Sequence, residues 1–321
     1  MRLILLALWC ISYGRSLAQA DTSFPHKDIS NGLIHARFYL PDTARGYYRG
    51  TRFDWSGVMP ALEFKKHTYA GQWFEQYAPT IHDAIMGPVE SFTPVGYERA
   101  VPGGHFVMVG VGALYRTSGA AYSPFRYYNI ADPGVWRVTA RRNRLEMEQT
   151  LKDTACSYVY HKTLELVKGK PVLKISHRLR NTGKTLIETN VYDHNFFILD
   201  RQPVGPGLQF SVPFGLEATE QRRIGDIAAI EGRKITLLRK PQYKEDVYAV
   251  LQGYGSNAKD YDIKMENRNT GAGIRITGDR PLSKLAFWGC PTVACPEPFI
   301  EVSVRPGQIY TWTIEYTFYE L

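Results

Sequence analysis

The chain has 321 residues, a formal charge of +8 and 44% hydrophobic residues, a length that admits one large domain or two small ones. Its basic residues are scattered, with no block beyond "TARRNR", which argues against the concentrated basic stripe of a nucleic-acid-binding protein. After the first residues no apolar run reaches the ~20 residues needed to span a bilayer as a helix, so no membrane anchor is expected.

The chain opens on "MRLILLALWCISYGRSLAQA". Arg2, the apolar run Leu3 to Ile11 and Ala18-Gln19-Ala20 have the layout of a signal peptide with an A-x-A cleavage site. Residues 1–20 are therefore expected to be a leader and 21–321 a single exported, soluble domain in the periplasm or outside the cell. Trp9 in front of Cys10 is wrong for a lipid anchor. With Cys10 removed, Cys156, Cys290 and Cys295 remain, an odd number that allows at most one disulfide. Cys290 and Cys295 are close enough to pair in an oxidising compartment, and no second Cys/His cluster accompanies them to suggest a zinc site.

The N-terminal third is rich in glycine, aromatics and arginine. "GYYRGTRFDWSG" (46–57) sets two arginines, a carboxylate and four aromatics between glycines; "GGHFVMVGVGALYR" (103–116) sets His105 beside a glycine-rich strand. Neither is a phosphate-loop or dinucleotide fingerprint. Gly110 and Gly112 read as strand bends or points of close backbone approach. "IHDAIMGPVESF" (81–92) is the place for one short helix, and its His82, Asp83 and Glu90 read as loop or helix surface.

From the middle of the chain onward, period-2 alternation dominates. "VLKISHRLR" (172–180) puts Leu173, Ile175 and Leu179 on one side. "YTWTIEYTF" (310–318) puts Tyr310, Trp312, Ile314, Tyr316 and Phe318 on one face. "VYAVLQG", "YDIKMEN", "GIRIT" and "KLAFW" follow the same rule, separated by turn sequences such as "NTGAG" and "GDRPLS". Many short strands with almost no helix predict an all-β protein, a large antiparallel β-sandwich or barrel. The 21 tyrosines and 6 tryptophans suit the stacking faces of a sugar site as well as a β-sandwich core.

Two stretches interrupt the apolar pattern. In "ETNVYDHNFFILD" (188–200), alternation puts Asn190, Tyr192, His194 and Phe196 on one face and Asp193 and Asn195 on the other. In "CPEPFIEVSV" (295–304), Pro296 and Pro298 frame Glu297 and stiffen the start of a strand, with Glu301 as the rival carboxylate. On these stretches the chain resembles the galactose mutarotase-like, or aldose 1-epimerase, superfamily. "NVYDHNFF" matches the family's histidine strand, "CPEP" its glutamate motif and "EDVYAVL" its aspartate segment, and the closing "RPGQIYTWTIEYTF" resembles the family's final strand. The resemblance covers Val172 to the C-terminus; the N-R-I and H-G-G segments of galactose mutarotases are not present as such.

The resemblance implies a large β-supersandwich that interconverts sugar anomers with no metal or other cofactor. It makes His194 and Glu297 the catalytic residues and Asp246 a substrate ligand. Arg52, His105 and Tyr192 complete the expected sugar site, with Trp55, Trp288 and Asn190 near it. An ionised Glu297 would take the proton of O1 while a protonated His194 gives one to O5. Two other readings stand beside this: a non-catalytic carbohydrate-binding protein, and a uronate polysaccharide-processing enzyme in which Arg52 neutralises the acid sugar. The oligomeric state is left open by the sequence.

Overall fold

Alternation becomes architecture in two large antiparallel sheets, seen in a computed structural model that describes residues 20–321. The expected leader, apart from Ala20, lies outside the described residues. A ten-stranded sheet runs, in spatial order, through Ala228–Glu231, Lys234–Leu237, Leu208–Ser211, Asp262–Asn267, Ala272–Gly278, Ile309–Glu320, Val172–Asn181, Tyr158–Leu166, Arg144–Leu151 and Val135–Arg141. A six-stranded sheet runs through Glu217–Arg222, Val247–Gln252, Lys284–Gly289, Ala294–Val304, Ile187–Phe196 and Gly87–Phe92. The N-terminal third adds a four-stranded and a three-stranded sheet. Each expected strand from Val172 onward is found. Residues 81–92 differ: the expected helix is a pair of turns followed by the strand Gly87–Phe92, buried at every position. It pairs with the His194 strand from Val191↔Phe92 to Phe196↔Gly87, and those ladder bonds outweigh any local helical preference.

The main core fills the space between the two sheets. Trp312, Ile314, Tyr316 and Phe318 on the last strand point into it, with Leu173, Ile175 and Leu179 beside them. Removing one such aromatic costs about 3–5 kcal/mol in comparable cores. From the six-stranded sheet, Val191, Leu251, Leu285 and Phe287 point into the same layer. The opposite face of that sheet carries a second core, built by the N-terminal third, in which Phe53, Ile85, Met86, Phe106 and Phe196 meet. The N-terminal third therefore acts as a cover over the outer face of the six-stranded sheet.

The three cysteines among the described residues are free. Cys290 closes a tight turn through its N–H to the Val293 carbonyl, whereas Cys295 lies opposite Trp288. The two thiols occupy different register positions, and the disulfide that the sequence allowed is not formed.

Candidate active site

The register of two neighbouring strands builds the site. Ile187–Phe196 pairs with Ala294–Val304 from Ile187↔Val304 to Tyr192↔Phe299. There the ladder stops. Continued by two residues, the same register sets His194 opposite Glu297. Pro298 and Pro296 fall opposite Asp193 and Asn195, and neither proline has an N–H to give. The Asn195 side chain donates to the Pro296 carbonyl instead, at 2.9 Å. The prolines thus end the ladder where the two functional side chains emerge, and His194 Nε2 lies 3.3 Å from Glu297 Oε1. Alternation decides the faces: Asp193 turns inward and accepts a hydrogen bond from Tyr316, while Tyr192, His194 and Phe196 turn outward.

His194 and Phe196 floor a cavity of about 490 Å³, lined also by Arg52, Asp83, Asp246 and Glu297, with Trp73, Phe125, Arg222, Tyr248 and Trp288 around them. Arg52 reaches in from the cover. It pairs with Asp83, donates to Tyr192 Oη at 3.0 Å and lies over the rings of Phe53 and Phe125. Asp54, its near neighbour in sequence, pairs instead with Lys162. Asp246, just before the strand Val247–Gln252, accepts from Arg222 Nε at 2.9 Å. His194 stacks on Phe196 at 3.8 Å between ring centres and meets the edge of Trp288 at 5.8 Å. Trp73 stacks on the same Phe196, so one aromatic column supports the imidazole.

Of the residues singled out in the sequence, His194, Glu297, Arg52, Tyr192, Asp246 and Trp288 are brought together. His105 is not: it lies on the strand His105–Met108 and pairs with Asp153 at 2.8 Å, outside this cavity. Trp55 is buried, with its indole N–H on the Gly50 carbonyl. Asn190 and Glu301 face each other in the ladder, both exposed, and are not among the residues lining this cavity. Sequence reasoning missed Asp83, Trp73, Phe125, Tyr248 and Arg222. The signal for Asp83 was the need of a buried Arg52 for a carboxylate partner; the other four carried none.

The electrostatics reverse one expectation. Burial raises Glu297 to about 7, against the lowering pull of Arg52 and Lys284. Burial, reinforced by the nearby Arg52 charge, pushes His194 well below its ordinary value. These directions favour a protonated Glu297 beside a neutral His194 whenever the pair holds a single proton. The sequence reading had the opposite distribution. The reason is desolvation, which disfavours both charged forms at once. His194 Nδ1 is buried without a hydrogen-bond partner, so no second carboxylate supports an imidazolium from that side.

A second cavity, of about 550 Å³, is walled by Phe24, Tyr39, Tyr47 and Tyr77. Its charged residues are Asp21 and Arg201, which gives it no acid–base pair. Chemistry therefore favours the smaller cavity over the larger.

No family model matches the sequence, and no curated protein matches it. Solved structures do. A putative aldose 1-epimerase from Escherichia coli K12 is similar at 11% identity with a TM-score of 0.56, over 92% of this chain and 99% of that one. An aldose epimerase homologue from C. elegans is similar at 13% identity and 0.56, over 92% and 99%. A galactose mutarotase-like protein from Lactobacillus casei is similar at 12% and 0.55, over 92% and 100%. At these identities the likeness establishes the fold: the chain has the galactose mutarotase-like β-sandwich fold.

Proposed function

We propose that the protein is an exported aldose 1-epimerase-type isomerase that opens and recloses the ring of a sugar at C1. The observation that carries the reading is the His194–Glu297 pair, 3.3 Å apart on the floor of a cavity with Arg52 beside it. Ring opening requires a proton to leave O1 and another to reach O5. Both oxygens are bonded to C1, so the groups that serve them must be near neighbours, each within hydrogen-bond reach of its oxygen. Two side chains in direct contact meet that demand.

Glu297 in its protonated form gives its proton to O5, and neutral His194 accepts the O1 proton. The ring opens, the C1–C2 bond turns, and the pair returns the protons on closing. Because the pair holds one proton throughout, either anomer can enter. Arg52, fixed by Asp83 and Tyr192, donates to sugar hydroxyls through its planar fork. Asp246 accepts from hydroxyls on the far side, and Trp288 and Trp73 offer apolar faces to the ring. No step needs a metal or an organic cofactor, and the sugar is the partner.

Exchange between α and β anomers, followed by NMR or polarimetry on glucose, galactose and uronic acids, tests the reading. Acceleration by the folded wild type, lost in Glu297→Gln and His194→Asn, supports it. Sugar binding without acceleration would convert the assignment to a binding protein.

A further inference from the structure

A second constellation of ionisable groups lies beneath the site, between the sheets, and the mechanism does not use it. Lys162 projects from the central strand Tyr158–Leu166 and is wholly buried. Its Nζ lies 3.2 Å from Asp54 Oδ2 and donates to the Ser56 carbonyl at 2.8 Å. It also forms a close ion pair with Glu90. Glu90 accepts in addition from His177 Nε2 at 2.7 Å. The Asp54 carboxyl is held by Tyr160 Oη at 3.0 Å on Oδ2 and by the Ser56 N–H at 2.8 Å on Oδ1. The Ser56 hydroxyl reaches both oxygens. Two glycines in left-handed conformations clear the space. A Cβ on Gly57 would meet Lys162 Nζ at 2.9 Å, and one on Gly110 would strike the Asp54 carboxyl. The backbone fixes Asp54 as well, through its N–H to the Glu90 carbonyl at 2.8 Å.

This is the layout of a nucleophile, an electrophile and a proton carrier held together away from water. We infer that Lys162 Nζ and Asp54 Cγ join in an intramolecular amide bond after the chain has folded. The ammonium and the carboxylate give a secondary amide and one water. The new bond is Nζ–Cγ, and one Cγ–O bond of Asp54 breaks. Two of the three ammonium protons leave with the departing oxygen, Glu90 carrying one of them in transit, and the third stays on the amide nitrogen. Tyr160 and Ser56 donate to the oxygens that bear negative charge in the tetrahedral intermediate, the role of an oxyanion hole. Burial pushes the Asp54 carboxyl upward, towards the protonated, more electrophilic form. The ion pair with Glu90 keeps most of Lys162 charged, so the bond matures slowly. The result would tie the segment carrying Arg52 and Phe53 to the strand Tyr158–Leu166 of the larger sheet, by a link that crosses the core.

Intact-mass spectrometry of the denatured wild-type protein, with its N-terminus determined, tests this. The expected mass is one water below that of the chain, and a tryptic digest should yield one branched peptide joining Asp54 to Lys162, uncut after Lys162. Full mass with an ordinary Lys162 peptide overturns the proposal, as does a water lost within the Asp54 peptide alone. In Asp54→Asn the same amide should form with loss of ammonia, giving the same final mass as the wild type. Glu90→Gln should keep its full mass; a Glu90→Gln protein lacking one water would overturn the part given to Glu90. The wild-type measurement decides the bond whether or not either variant folds.

Discussion

The two buried charge clusters lie on opposite faces of the same six-stranded sheet and handle desolvation in opposite ways. On the inner face, burial would raise Glu90, but the Lys162 ammonium, until the amide closes, and His177 more than offset it and lower Glu90 to about 2. On the outer face, Glu297 rises to about 7, and His194 falls, because burial is not answered by a close opposite charge. Arg52, the nearest cation, is already committed to Asp83 and Tyr192. A compensated cluster locks parts of the fold together. An uncompensated one keeps a proton near neutrality and free to move, which is what acid–base chemistry needs.

The sharpest way to break the comparison is to remove a member from each side. Glu297→Gln or His194→Asn should reduce anomer exchange by roughly 10²–10⁴-fold, the usual contribution of a positioned acid or base. Circular dichroism should show the fold retained. Lys162→Met should do the reverse. It leaves Asp54 and Glu90 buried with no lysine, charged or amide-linked, beside them, a change that costs about 3–5 kcal/mol, seen as a lower midpoint in urea denaturation.

A pH series on stability separates the clusters again. Glu297 has its folded pKa raised from 4.5 to about 7. Its contribution to stability is therefore fully present below 4.5 and is lost as the pH rises through 7. At about 1.4 kcal/mol per unit, wild type should lose about 3 kcal/mol relative to Glu297→Gln between pH 4.5 and pH 8, read from paired denaturation curves. Glu90 is shifted the other way while Lys162 is still an ammonium, so in protein not yet joined its contribution is present above 4.5 and is lost as the pH falls towards 2. A smaller effect is expected from Tyr192→Phe, which removes the hydroxyl that accepts from Arg52. A hydrogen bond to a charged group is worth about 1.5–3 kcal/mol, so the sugar KM should rise roughly tenfold or more with little change in kcat.

The same contrast explains what the sequence could disclose. Strands from Val172 onward were legible because a half-buried strand repeats every two residues, and the register they adopt carries His194 to Glu297. The helix expected at 81–92 failed because Pro88 and Val89 belong to a strand that only its partner stabilises. Asp83, Trp73 and Phe125 lie on connections whose path no periodicity encodes, and His105 sits on a strand of the cover that leads it to Asp153. The inner cluster did leave a trace. In "YVYHKTLEL" Tyr158, Tyr160, Leu164 and Leu166 share the buried face with Lys162, and a lysine in a core position implies buried partners. His177 stands in the same relation to Leu173, Ile175 and Leu179.

The most direct test of the central claim, that His194 and Glu297 share one proton held on Glu297, is the pH profile of kcat/KM for anomer exchange by the wild type. A neutral His194 beside a protonated Glu297 predicts activity that is flat from pH 5.5 to about 6.5, falls through about 7 and drops tenfold per unit above it. Acid loss should appear only well below the ordinary histidine range. A profile that rises through pH 4.5 as Glu297 ionises and falls near 6.5 as His194 loses its proton would contradict it, because the two groups would then hold the opposite charges.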